Sequence, residues 1–234
     1  MPPWAAPGYT GAMALNQLAD GVWEYGQTLR VPGGVKLPAR TTVVRDRDGG
    51  ILLYGPLPVE EVDADAIDAL GEVRTILGPN KYHHMYLRQA KERWPKARLL
   101  GAPGLPEKRS NLSFDGVAED GFVAPGLELR ALRGVPMFGE VVLVHLGSRS
   151  LVCADFAFRI QEASGISKLA FKMMGDYGDT LKRSRLWRLG IRDREAYRAS
   201  VEALLEADFD NVIMAHGDPV FGGAKAQLRS AHLG

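Results

Sequence analysis

The sequence predicts an α/β protein whose sheets carry helices on their outer faces. Three observations point there. Early strand-like runs come in pairs around turn residues, later runs alternate with helix-period segments, and no repeat or low-complexity linker divides the chain. Residues 41–45 and 51–54 flank Asp48-Gly49-Gly50, the signature of a hairpin. A short helix near 63–70, a strand over 73–77, a helix over 83–94 and a strand over 97–100 follow, the last ending at Gly101-Ala102-Pro103-Gly104. The middle reads as loop until a strand at 127–132. A second hairpin over 140–146 and 149–154 turns at Gly147-Ser148. Helices over 166–174 and 194–207, a strand at 211–215 and a helix near 223–230 complete the pattern.

A chain of 234 residues can bury a sizeable core as one domain. Patterned sequence starts near Leu15, so 15–234 reads as that domain. Residues 1–14, with three prolines and Gly8, read as a loose arm, which makes Met13 an alternative start to Met1. A formal net charge of +1 lacks the basic footprint of a nucleic-acid binder. No apolar run reaches the ~20 residues that span a bilayer, and the N-terminus lacks a secretory pattern. The expectation is therefore a cytoplasmic protein with neither nucleic-acid nor membrane partners. Cys153 is the single cysteine, lies in an apolar run and reads as a buried, inert thiol.

Candidate chemistry sits at the ends of apolar runs, where α/β folds place functional side chains. His216-Gly217-Asp218-Pro219 follows the run at 211–215, and Asp155 follows the run at 150–154. If His83 is a helix position, Leu87, Ala90 and Trp94 share its face at i+4, i+7 and i+11. His83 then points toward the core, while His84 aligns with Arg88 and Lys91 on a solvent face. Taken alone, His83 reads as a hydrogen-bonded core histidine. His145 shares a strand face with Val141 and Leu143 and reads as structural; His232 falls in a frayed tail. Neither a Gly-x-Ser-x-Gly elbow nor a dinucleotide glycine fingerprint is present.

With Leu18-Ala-Asp-Gly-Val-Trp23 at the front, the order of elements resembles the metallo-β-lactamase superfamily over nearly the whole chain. That resemblance implies a four-layer αββα sandwich. The family motif His-x-His-x-Asp-His falls on Gly78, Asn80, Tyr82 and His83, and Pro136 stands where a further family histidine lies. Arg149-Ser-Leu-Val-Cys-Ala-Asp155 resembles the strand whose terminal aspartate bridges metals, and Val212-Ile-Met-Ala-His-Gly217 the strand carrying the last metal-binding histidine. His83, Asp155 and His216 are thus the implied ligands of one divalent metal. Two histidines and a carboxylate suit zinc or iron, with a position left open for water.

The implied activity is hydrolysis of a small anionic ester, lactone or phosphoester, with Tyr82 or Glu140 orienting the substrate. Lys81 and Lys172 are candidate substrate-binding residues, although an ammonium at Lys81 turned into the pocket would repel a metal. Residues 168–198 carry nine Lys/Arg against four Asp/Glu, and in the family an insertion here covers the site mouth. A basic lid favours an anion. Ile166, Leu169, Ala170, Met173 and Met174 read as its packing stripe. The alternative is a metal-free, non-catalytic binding protein on a relic scaffold, with Asp155 and His216 hydrogen-bonded to each other. Oligomeric state is not encoded in any of these features.

Overall fold

Short continuous apolar runs in the central strands build two sheets that are each buried on both faces. The computed structural model describes residues 15–234, so the arm at 1–14 and the choice of Met13 lie outside the described residues. A seven-stranded sheet runs in the order β1 (Asn16–Ala19), β2 (Val22–Val31), β3 (Val35–Arg45), β4 (Ile51–Tyr54), β5 (Val73–Gly78), β6 (Arg98–Gly101) and β7 (Gly116–Val117). Its first three pairings are antiparallel and its last three parallel. The second sheet has five strands, β8 (Gly121–Ala124), β9 (Leu127–Ala131), β10 (Val141–His145), β11 (Ser150–Cys153) and, paired parallel to β11, β12 (Asn211–Met214).

Side chains one residue apart go to opposite faces. Val44, Leu52, Tyr54, Leu77 and Leu100 therefore meet Val141, Leu143, Val152 and Ile213 in a core between the sheets. Their neighbours Val43, Leu53, Ile76 and Leu99 pack outward beneath α1 (Glu61–Leu70), α2 (Leu87–Arg93) and α3 (Leu105–Lys108). On the far side, Val142, Val144, Leu151, Cys153, Val212 and Met214 pack beneath α5 (Arg185–Gly190), α6 (Arg194–Leu205) and α7 (Ala224–Leu233). The layers are α, β, β, α, as the resemblance implies. The remaining helix, α4 (Gly165–Met174), lies beside β3, where the Lys36 N–H donates to Ser167 Oγ at 2.9 Å.

Several local expectations are corrected. The helix placed from His83 starts at Leu87, because Asn80 Oδ1 accepts from the Tyr82 and His83 N–H groups (2.8 and 2.9 Å) and holds the chain in turns first. His84 is not on a solvent face: it is half-buried, with Nδ1 2.6 Å from an Arg109 guanidinium nitrogen. His232 is not frayed but buried, stacked on Phe156 and bonded to the Tyr197 hydroxyl. The stretch read as loop contains α3, β7 and β8. The long β2–β3 hairpin and the six-residue α5, capped by Ser184 Oγ accepting from Trp187 N–H, were not anticipated.

Candidate metal centre

Three backbone hydrogen bonds join the two sheets at one edge, and a fourth joins the ends of β11 and β12, so that distant strand ends come to one place. Arg40 N–H donates to the Ala215 carbonyl at 3.0 Å, and Val141 N–H to the Pro79 carbonyl at 2.9 Å. Lys81 N–H donates to the Phe138 carbonyl and Ala215 N–H to the Cys153 carbonyl, each at 2.9 Å. The loops after β5, β11 and β12 consequently converge, and they carry His83, Asp155 and His216.

The trio is compact. His83 Nε2 is 3.5 Å from Asp155 Oδ2, His216 Nε2 is 3.5 Å from Asp155 Oδ1, and the two Nε2 atoms are 3.2 Å apart. His216 Nδ1 is 2.7 Å from the Pro38 carbonyl, which only accepts, so Nδ1 carries the proton and a neutral His216 presents its Nε2 lone pair to the cluster. Burial opposes charge on His216, but the hydrogen bond and charge of Asp155 raise its pKa above the usual histidine range. Asp155 moves the opposite way: burial works against its ionisation, yet His83 and His216 hold it well below the usual carboxylate range. Phe158 stacks on the His216 ring at 5.5 Å and shields it.

A second set of groups fixes Asp155. Asn80 Nδ2 donates to Asp155 Oδ2 and to Glu140 Oε2, both at 2.8 Å. Glu140, fully buried, also accepts from the N–H groups of Ala154, Asp155 and Phe156 at 2.8, 2.8 and 3.1 Å. Burial, with the Asp155 charge, pushes its carboxyl up to about 7. Glu140 therefore clamps the 154–156 backbone and does not line the cleft above the trio, contrary to a role in orienting substrate.

The other named residues separate clearly. Tyr82 lies on the cleft wall, half-exposed, its ring 5.1 Å from Phe138. Lys81 turns away: its ammonium donates to the Pro136 carbonyl at 2.8 Å, and both residues line a different hollow. It neither repels a metal at the trio nor lines the cleft. Lys172 sits on α4 with its ammonium 5.6 Å from the centre of the Tyr177 ring, also outside the cleft walls. Gly78 has no room for a ligand, since a Cβ there would meet Leu105 and Leu87 at 2.6 and 2.9 Å.

The cleft over the trio has a volume of about 410 Å³ and mostly apolar walls, among them Leu29, Leu37, Leu57, Phe138 and Leu186. No Lys or Arg is among the described residues lining it, so the 168–198 segment reaches this surface through Leu186 and not through its basic side chains. Sequence reasoning missed Asn80 as a hydrogen-bond hub, the Pro38 carbonyl and the hairpin wall. It also missed Asp176, a buried carboxylate whose Oδ1 has no partner and which burial pushes up to about 7. A polar residue trapped between a strand end and His83 was the one signal available for Asn80.

The donor set fits a divalent metal. Zinc bonds to imidazole nitrogen and carboxylate oxygen of about 2.0–2.2 Å give tetrahedral edges of roughly 3.3–3.5 Å. The 3.2 Å between the two Nε2 atoms is close to such an edge, while the histidines approach different oxygens of Asp155, each at 3.5 Å; with one ligand atom taken from each residue, all three lie within 4.8 Å of one another. Among the described residues no other group of histidine, cysteine or carboxylate side chains forms such a cluster.

No protein-family model matches the chain, and no curated protein does. Solved structures do. A metallo-β-lactamase from Erythrobacter litoralis superposes with a TM-score of 0.66 at 17% identity, covering 96% of this chain and 98% of its own. One from Pontibacter korlensis gives 0.63 at 14% identity, covering 94% and 98%, and one from Hirschia baltica 0.61 at 13%, covering 93% and 96%. With two packed sheets, helices on both outer faces and strand-end loops converging at one edge, this chain has the metallo-β-lactamase fold.

Proposed function

We propose that the protein is a hydrolase using one divalent metal, held by His83, Asp155 and His216, to cleave an uncharged ester or lactone with an apolar body. The convergence of two Nε2 atoms and a carboxylate within 3.2–3.5 Å on the floor of a cleft carries this reading. When bound, the metal supplies Lewis acidity toward a carbonyl and ionises water near neutral pH.

The chain's own groups do the rest. The Pro38 carbonyl fixes the tautomer of His216. Asn80 and Glu140 hold Asp155 in register, leaving Oδ1 directed at His216. Leu29, Leu37, Leu57 and Leu186 bind an apolar substrate body and exclude water around it. Absence of cations from these walls is why a neutral substrate is preferred here to the phosphoester the sequence suggests.

A metal-free binding protein is the second reading. What favours it is the Asn80 amide, which already satisfies Asp155 Oδ2 where the family motif puts a histidine. The two separate in an assay of zinc- or iron-reconstituted protein on neutral aryl esters and on an aryl phosphate. Ester turnover that depends on metal and falls at least 100-fold in His216→Ala is expected. No turnover in either state would favour the second reading, and turnover that is equal with and without metal would contradict both.

A further inference from the structure

A surface helix normally turns its most apolar stripe toward the protein. Helix α4 does the reverse. Ile166, Leu169 and Met173, at i, i+3 and i+7, are 58, 60 and 61% exposed, while Ser167 and Phe171 face inward. The inward contact is well defined: Ser167 Oγ accepts from Lys36, and Phe171 joins Phe158 and Ile160 beside Leu37 and Tyr177. The stripe that the sequence assigns to packing is therefore unpartnered among the described residues.

Helix α5 repeats the pattern. Trp187 is buried, whereas Leu186 and Leu189 are 39 and 70% exposed. The helices adjoin, since a Cβ on Gly175, the C-cap of α4, would lie 3.6 Å from Arg185 Cγ. Neither helix contains an Asp or Glu. Lys168, Lys172, Arg185 and Arg188 are exposed, and none has an ion-pair partner among the described residues. The two lysine ammoniums are 5.4 and 5.6 Å from the centre of the Tyr177 ring.

We infer that the α4–α5 face docks on an anionic lipid bilayer surface. Exposed Leu, Ile and Met side chains flanked by unpaired Lys and Arg match an interface in which apolar groups enter the acyl boundary and cations meet phosphate headgroups. A second copy fits less well, because an isologous contact would bring the same unpaired cations together. Leu186 belongs both to this face and to the wall of the cleft, so the cleft opens beside the lipid surface. The inference stands on the two helices and is independent of any metal at the trio.

The test is flotation of the full chain with vesicles of phosphatidylglycerol and phosphatidylcholine, and with phosphatidylcholine alone. Co-flotation with the anionic vesicles is expected, weakened about fivefold by Lys168→Gln and again by Lys172→Gln. The triple variant Ile166→Asn, Leu169→Asn, Met173→Asn should abolish it with an unchanged circular dichroism spectrum, while Phe122→Ser, at an exposed site elsewhere, leaves it intact. Failure to float with anionic vesicles overturns the inference, as does flotation that the triple variant retains. Self-association in sedimentation that the triple variant loses, without vesicle binding, assigns the face to a second copy instead.

Discussion

His216 and Asp176 both hold protons above their ordinary pKa, for different reasons. Burial resists a charged His216 but Asp155 prevails; burial alone is the main reason Asp176 is pushed from 3.8 to about 7. At these two sites the native chain therefore binds more protons than the unfolded chain, and their contribution to stability is lost as pH rises through the folded values. For Asp176 that loss runs from the ordinary carboxylate range up to about pH 7. Asp176→Asn should make the melting temperature fall less between about pH 4 and pH 7 than it does in the wild type, in which the buried Glu140 carboxyl adds a loss of the same sign; melting curves in a buffer series check this. A metal competes with those protons, so the melting-temperature rise it gives should grow with pH. At this scale the convergence of the trio was legible through the family resemblance, since Asp155 and His216 each stand just beyond an apolar run while His83 read alone as a core histidine. Asn80 and Glu140 were not, since their shared role joins residues 60 and 75 positions apart in sequence.

Among the elements, short continuous apolar runs such as those of Ile51–Tyr54 and Asn211–Met214 were read correctly as strands, because a strand buried on both faces needs apolar residues at successive positions. Elements whose form depends on neighbours were not. The start of α2 is delayed by the Asn80 side chain, and β2 is held by its ten-residue register with β3 more than by its own pattern. Helix α4 has a readable period but an unreadable direction, because nothing in its sequence says which face meets β3. Its orientation makes a prediction of its own. Phe171→Ala should cost about 3 kcal/mol in chemical denaturation, whereas Leu169→Ala should stay within about 0.5 kcal/mol of wild type. The opposite ranking would mean that the apolar stripe is the packed face.

Across the whole molecule, four layers follow from two sheets that must each cover two apolar faces, which is why the architecture was readable at identities of 13–17% to its structural neighbours. The chemistry was less readable, since one fold supports many activities and the distinguishing features are spatial. The described residues lining the cleft include no Lys or Arg, and of the basic residues in the 168–198 segment Lys168, Lys172, Arg185 and Arg188 are exposed whereas Arg183 turns inward to the His232 carbonyl. What unites these features is the claim that His83, Asp155 and His216 hold one metal. Elemental analysis tests it most directly, on protein purified without a His-tag and then reconstituted with zinc or ferrous iron. About one equivalent of metal per chain, lost in both His83→Ala and His216→Ala, is the expected result. Wild-type protein that stays free of metal after reconstitution, or variants that keep it, would contradict the claim.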